Sequence, residues 1–277
     1  MSATVEGIAE IGFVAAGGAT RLSHLHQRNP LRVLFPTPDP GEPALAAIVT
    51  TSGGIVASDR LRIAVGMGEG ASAFVTASAA EKVYRSAGPT ARIDQRLTLG
   101  TGARLEFLPP ETILFDSARL RRHTTVELAG DALFLGGGIL VFGRRARGEV
   151  FGCGFLHERW EIYRDGRLAW GDALHVDGDV AAVMADPACF AGAAACATLV
   201  LAPPGNPRGF INAARAVQGA AAAPGMRCGV TAVEGLLIAR WLGPDPLALR
   251  RAYAELACHL REAAMGLAPR LPRLWHV

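Results

Sequence analysis

The chain has 277 residues, half of them apolar and 19% charged, and a formal net charge of +3. That length and composition leave room for a sizeable core and exclude a disordered or low-complexity chain. The slight basic excess is spread over scattered arginines, which excludes a nucleic-acid footprint.

From about residue 8 to 184, short apolar or alternating runs are cut by turn residues, with no long helical period, so this part reads as a β-rich body. His24 and His26 alternate as His-Leu-His and would share one face of a strand, a chelating geometry that two ligands alone do not close. In Thr50 to Arg62, Gly53-Gly54 predicts a tight backbone, and Asp59 stands before the alternating run Leu61 to Val65. Asp59 reads either as a carboxylate at a strand mouth or as a turn residue accepting backbone N–H groups. Strands follow at Ala71 to Ala77, Arg92 to Leu99, Ala103 to Phe107, Thr112 to Phe115, Thr124 to Leu128 and Ala132 to Leu135.

Between these strands lie the residues richest in chemistry. Lys82 is the only lysine among 28 basic residues, and Arg85 stands three places beyond it. A flexible point charge in a chain that otherwise uses arginine invites an interaction role, with a solvated surface charge as the plain alternative. Glu106, Glu111 and Asp116 are spaced by five, with Pro109-Pro110 stiffening the connection. Three acids around one apolar element suggest metal or acid/base chemistry, set against ordinary exposed carboxylates. Gly143 to Phe151 adds three arginines and Glu149, a cluster suited to an acidic surface or to solvating an edge strand. The alternating segments around Asp165-Gly166 predict a hairpin with a two-residue turn.

Beyond residue 186 the composition shifts to Ala, Gly and Pro, and the remainder to 277 is expected to be mixed and partly helical. Gly209 to Ala223 is one helix candidate. The stronger one begins at Asp245-Pro246, an N-cap followed by proline, and ends at Gly266. Its apolar stripe is Leu249, Tyr253, Leu256, Leu260 and Ala263, with Arg250, Glu255, Arg261 and Glu262 off it. With no internal repeat and no linker, residues 1–277 read as one domain. The longest uncharged stretch, Ala188 to Pro207, is broken by prolines and unsuited to a membrane span. Glu6 and Glu10 precede any basic residue, so no secretory signal is expected and the expected compartment is the cytoplasm.

Several mechanisms are absent from the sequence. The five cysteines are odd in number and none stands at CxxC spacing, so neither a zinc ribbon nor a disulfide framework is expected. Lys82 is outside any GxxxxGK[ST] motif, no serine sits in GxSxG, and His157-Glu158 is not followed by a second histidine in HExxH spacing.

Read in order, SGGIVASDRL, FVTASAAEKVYRS, LEFLPPETILF, FGRRARGEVF and the closing LPRLW resemble the successive motifs of the UreD (UreH) family of urease accessory proteins, over about residues 20 to 276. The chain departs from that pattern at Ser58, where glycine is usual, at Ser78 and Pro110, where glutamine is usual, and at Glu81, where threonine is usual. The resemblance implies a mainly β, helically wound, many-stranded scaffold with one or two helices near the C-terminus. It implies a non-enzyme that helps nickel enter apo-urease, with UreF-like and UreG-like (GTPase) partners, no nucleic acid or membrane, and no tightly bound cofactor beyond transient Ni²⁺. Within the matching motifs it singles out Gly53, Gly54, Lys82, Tyr84, Arg85, Gly143 and Arg144 as interaction residues. Asp59, Glu106, Glu111, Asp116 and Glu149 become candidate acids lining the family's nickel passage. Two alternatives stand beside it: a β-helical carbohydrate hydrolase or lyase using Glu106, Glu111 and Asp116, and a β-rich binding scaffold that never touches metal.

Overall fold

Alternation of apolar and charged side chains sets the architecture. In β5 (Arg60–Met67), β8 (Ala91–Leu99), β11 (Arg119–Leu128) and β13 (Phe155–Arg164), alternate residues are buried and most of their neighbours face outward, with Gln95 half-buried in the inward series and Phe155 buried in the outward one. These four strands lie side by side and parallel, continued by β1 (Glu6–Ala16). The antiparallel strands β14 (Arg167–Val176) and β2 (Ala19–Arg28) form the two edges of this first sheet. The structure, a computed structural model, describes residues 5–276.

The second sheet interleaves with the first along the chain. Its parallel strands β4 (Ala44–Thr50), β6 (Ser72–Ala77), β9 (Arg104–Phe107) and β12 (Leu133–Phe142) alternate with those of the first, so the chain winds from sheet to sheet as a broad solenoid. A third, narrow side is closed by β7 (Glu81–Val83) and β10 (Thr112–Leu114), with Ile55 bridged to Val83. The strand β3 (Leu31–Leu34) ends the second sheet on one side, and β15 (Ala195–Ala202), β17 (Leu236–Gly243) and β16 (Arg227–Val233) extend it antiparallel on the other. The expected mainly β, helically wound scaffold is what the chain forms. The Asp165-Gly166 turn joins β13 to β14, with φ of +50° and +76° at the two residues.

The C-terminal part carries more strand than its Ala-rich composition suggested. Ala195–Ala202 is a strand covered on both faces: Val200 and Ala202 point into the core between the sheets, and Leu199 and Leu201 into a second core under the helices. A short apolar run buried on both faces has no alternation to read. The short α1 (Val180–Ala185) also follows the β-rich body, capped by Asp179.

That second core is made by α2 (Arg208–Ala220) and α3 (Pro246–Met265), which pack on the outer face of the second sheet. In α3 the Asp245 side chain accepts from the N–H groups of Leu247 and Ala248, and Gly266 adopts the left-handed conformation that ends the helix. The helix buries Leu249, Tyr253, Leu256 and Leu260 as its stripe predicts, but two positions differ. Ala263 is exposed, and Arg261, expected off the stripe, is fully buried. The reason is ionic: Arg261 Nε donates to Glu106 Oε1 at 2.8 Å, its Nη2 pairs with Glu42, and its Nη1 donates to the carbonyls of Ala268 and Arg270.

Two carboxylates around one buried guanidinium leave an excess negative charge. Burial is the main cause that pushes Glu106 up to about 7, against the opposing pull of Arg261 and with added repulsion from Glu42. Its folded pKa therefore exceeds its unfolded one. The stability it contributes is complete below the unfolded value and is lost as pH rises through about 7. We expect the melting temperature to fall by several degrees between about pH 5 and 7.5 and to level off above that, at ~2–4 °C per kcal/mol. Glu106→Gln should remove most of that drop in a thermal scan; an unchanged slope would assign the pH dependence to other groups.

Candidate functional site

The interaction residues singled out in the sequence converge on the narrow third side of the solenoid. Gly54 adopts φ of +152° there, and a Cβ on it would lie 2.5 Å from Tyr84 Cε2 and 2.8 Å from the Lys82 carbonyl. The Tyr84 hydroxyl donates to the Gly53 carbonyl at 3.0 Å, and its ring meets Phe115 edge-on at 4.9 Å. Arg144 stacks over the other aromatic of the pair, with its guanidinium carbon 4.2 Å from the Phe115 centroid. Arg144 also forks onto Glu149, which holds the Glu149 carboxyl below its usual value.

Glu149 and Asp116 close the next loop. The Asp116 N–H donates to Glu149 Oε1 at 3.0 Å, and Asp116 Oδ1 accepts from the N–H groups of Gly152 and Cys153. Gly143, with φ of +80°, lets this loop press against the chain, since a Cβ would stand 2.5 Å from the Glu149 carbonyl. The arginine cluster is therefore a loop with a short 3₁₀ turn rather than an edge strand; Arg145 and Arg147 face solvent. Lys82 and Arg85 are likewise exposed at the rim of this side.

The five candidate acids fall in three places. Asp116 and Glu149 meet in the loop just described. Asp59 is buried in the preceding turn, where Oδ2 accepts from the Val56 N–H and Oδ1 has no partner among the described residues. Burial raises its pKa. Glu106 and Glu111 lie under α3: Glu106 on Arg261, and Glu111 on Arg250 at 3.4 Å. Arg250 in turn holds the closing motif, with its guanidinium carbon 4.7 Å from the Trp275 ring and its Nη2 donating to the Trp275 carbonyl.

A different set of polar groups enters the core between the sheets. Thr50 Oγ1 donates to Glu81 Oε2 at 2.6 Å, and Glu81 stands in register with Thr112 on the neighbouring strand. Thr112 Oγ1 accepts from Arg122 Nη1 at 2.8 Å, and Arg122 Nε donates to both oxygens of Glu158 at 2.9 and 2.8 Å. Trp160 Nε1 donates to Glu158 Oε1 at 3.2 Å, and beside this pair Thr124 Oγ1 donates to Gln95 Oε1. The Glu158, Arg122, Asp172 and Arg240 charges all act on Cys196, whose thiol is pushed up to about 12 chiefly by burial. Cys196 opens on a cleft of about 540 Å³ between β14 and strands β15 to β17, also lined by Asp172, His175, Cys189 and Cys228. Hydrogen bonds and strand register thus link a line of polar side chains from Thr50 on the narrow side of the solenoid to Glu158 in its apolar interior, and Cys196, within electrostatic reach of Glu158, stands at the cleft.

Electrostatically the line is nearly balanced. Burial raises Glu81 above the usual carboxylate range despite the Thr50 hydrogen bond, while Arg122 opposes Glu158 directly. Among the described residues no three His, Cys, Asp or Glu side chains are grouped to hold a metal ion. His24 and His26 share the outward face of β2 as expected, 3.7 and 3.2 Å from Glu10 Oε2. Of the interior line the sequence marked Glu81, as a departure from a family pattern, and met Glu158 only in a motif that fails; its members lie on six separate strands, so no spacing connects them.

A family model described as "UreD urease accessory protein" matches residues 5–276. A protein named "Urease accessory protein UreD" from Magnetococcus marinus is 40% identical over 279 residues, covering 99% of this chain and 94% of its own length. Proteins of the same name from Methylobacterium sp. (strain 4-46) and Azorhizobium caulinodans are 43% and 40% identical, covering 95% and 97% of this chain and 91% and 95% of their own lengths.

Removing one member of the buried Arg122–Glu158 pair should cost far more than removing both. Arg122→Met leaves Glu158 buried and unpaired, at about 3–5 kcal/mol, and Arg122→Met with Glu158→Met should recover most of that loss. Urea denaturation of the two variants measures it; equal destabilisation would mean that the pair is solvated.

Proposed function

The chain belongs to the UreD family of urease accessory proteins, and from that premise we propose that it serves urease maturation as a scaffold and route for nickel entering the apo-enzyme. It works with UreF-like and UreG-like partners and catalyses no reaction of its own. Nickel is cargo here, taken up at one end and released at the other. The working compartment is the cytoplasm.

The observation that carries this reading is the polar line from Thr50 and Glu81 through Arg122 and Glu158 to Cys196. An apolar interior tolerates such groups only when they are paired, so their placement across the core, rather than at its rim, calls for a use. A route for a borderline cation needs oxygen and sulfur donors spaced singly, because imidazole and thiolate gathered together would retain it. Glu81 and Glu158 are such single oxygen donors, Arg122 keeps Glu158 from closing on the ion, and Cys196, its thiol held protonated by burial, offers only a weak sulfur contact at the far end. The wide cleft with Asp172, Cys189 and Cys228 is a mouth suited to taking up or releasing the ion.

The acids chosen from the sequence remain a second candidate set: Asp59, Glu106, Glu111, Asp116 and Glu149. Glu106 and Glu111 each pair one oxygen with an arginine of α3, Asp59 pairs one with its own turn, and Asp116 and Glu149 close a loop, which gives all five a part in holding the fold; the second oxygens of Asp59, Glu106 and Glu111 have no partner among the described residues. The same division separates the three carboxylates of the glycosidase alternative, Asp116 lying apart from the pair under α3. A scaffold that never touches metal differs only in the interior line, and the experiment addresses that line. In a urease-activation assay under limiting nickel, we expect Glu81→Gln and Glu158→Gln to lower urease nickel content several-fold while the accessory complex still assembles. Single alanine substitutions of the five sequence-chosen acids belong in the same assay. Full metallation by both glutamine variants would remove the interior route and leave the metal-free scaffold.

A further inference from the structure

The two sheets are finished differently on their outer faces. Helices α2 and α3 cover the second sheet, whereas neither packs on the outer face of the first. Five parallel strands with one face open to solvent are uncommon, since parallel sheets are usually covered on both sides. On that open face the strand register puts Arg60 beside Arg92, Arg92 beside Arg121, and Arg121 beside His157. Arg62 stands in the next row, two residues along from Arg60. Neighbouring strands are ~4.8 Å apart, so three guanidinium-bearing residues follow one another across the sheet at that step.

Like charges directly opposite one another on adjacent strands repel. Elsewhere on the same face the chain offsets its arginines with acids, Arg96 with Glu127 and Arg159 with Glu161, and at the end of the row Glu6, beside Arg60, pairs with Arg28. Arg60, Arg62, Arg92 and Arg121 are exposed, and among the described residues their side chains have neither an ion pair nor a hydrogen bond. The face thus carries three adjacent arginines in one row, ended by Glu6 in register with Arg60, with Arg121 also lying over the Phe155 ring.

We propose that this open face of the first sheet docks the urease apoprotein through a flat acidic surface on that partner, with Arg60, Arg92 and Arg121 as the contact row. The inference rests on the reading that the chain acts on urease. A protein partner fits better than a polyanion, because Asp94 stands in register with Arg62 and further acids flank the row. Such a mixed pattern matches a protein surface with its own alternating charges, and would repel a continuous run of phosphates.

The test uses the tagged full chain co-expressed with urease apoprotein, with recovery of the complex measured from roughly 50 to 300 mM salt, a range over which exposed charges become strongly screened. We expect recovery of the wild-type complex to fall steeply with salt. The triple variant R60S/R92S/R121S should bind at least about tenfold more weakly with a flat salt dependence, and Arg92→Lys should retain binding. Arg92→Glu, a single change at an exposed site, decides the matter should the triple variant fold poorly. Undiminished binding by the triple and Arg92→Glu variants would overturn the docking face and leave the urease reading intact. Displacement of urease by a short DNA duplex, with the same arginine dependence, would overturn it in favour of a polyanion site. A wild-type chain that holds no urease even at low salt would defeat both this inference and the reading on which it rests.

Discussion

Everything in this molecule depends on successive coils lying in register. The parallel ladder β5–β8–β11–β13 pairs residue by residue along almost its whole length, and β4–β6–β9–β12 pairs in register over four or five residues at each step on the opposite side. Because side chains alternate with a period of two, a slip of one residue in any coil would turn its apolar set outward. The narrow third side limits such slips. Its turns need backbone conformations and close approaches that only glycine supplies at Gly54 and Gly143, and its gaps are filled by Tyr84, Phe115 and Arg144. The motifs that looked over-specified for plain strands are in large part the fastenings of this side.

Registration also explains how polar groups come to lie inside the core. Thr112 stands next to Glu81, and Arg122 reaches Thr112 and Glu158 at once, because three consecutive coils present these residues at matching heights. None of the contacts is local in sequence: Arg122 and Glu158 are 36 positions apart, and Thr50 and Glu81 are 31 apart. A buried pair of this kind is weak evidence for stability, since desolvation consumes much of the attraction. Its value lies in defining where polar chemistry can occur in an otherwise aliphatic interior.

What was legible beforehand follows from the range of the signals. The alternating strands, the Asp165-Gly166 hairpin and the capped α3 are written in neighbouring residues and formed close to their expected bounds, except that the runs Thr124 to Leu128 and Ala132 to Leu135 are parts of the longer strands Arg119–Leu128 and Leu133–Phe142. The winding itself leaves no sequence repeat, because coils need only matching alternation and turn positions, not matching residues. Ala195–Ala202 concealed a strand because both of its faces are buried. Arg261 looked like a solvent-facing residue until Glu106 and Glu42, 155 and 219 positions away, were brought against it. Glu106 and Glu111 looked like free chemistry for the same reason; their partners are arginines of a helix that closes over them much later in the chain.

The asymmetry between the outer faces is the last consequence of this construction. A solenoid of two broad sheets has two exterior faces to reconcile with water, and this chain uses different means for each. The second sheet presents apolar residues outward, such as Leu135, Leu199 and Leu237, and must be covered, which α2 and α3 do with a core of their own. The first sheet presents charges and needs no cover to remain soluble. Had solubility been the only requirement, acids and bases would best have alternated throughout, as they do where Arg96 meets Glu127. The run Arg60–Arg92–Arg121 departs from that pattern near the beginnings of β5, β8 and β11, where strand register sets the three charges side by side in one row. Rigid placement of like charges is costly for an isolated chain and useful for one that meets a complementary surface, and that contrast separates a merely solvated face from one shaped for recognition.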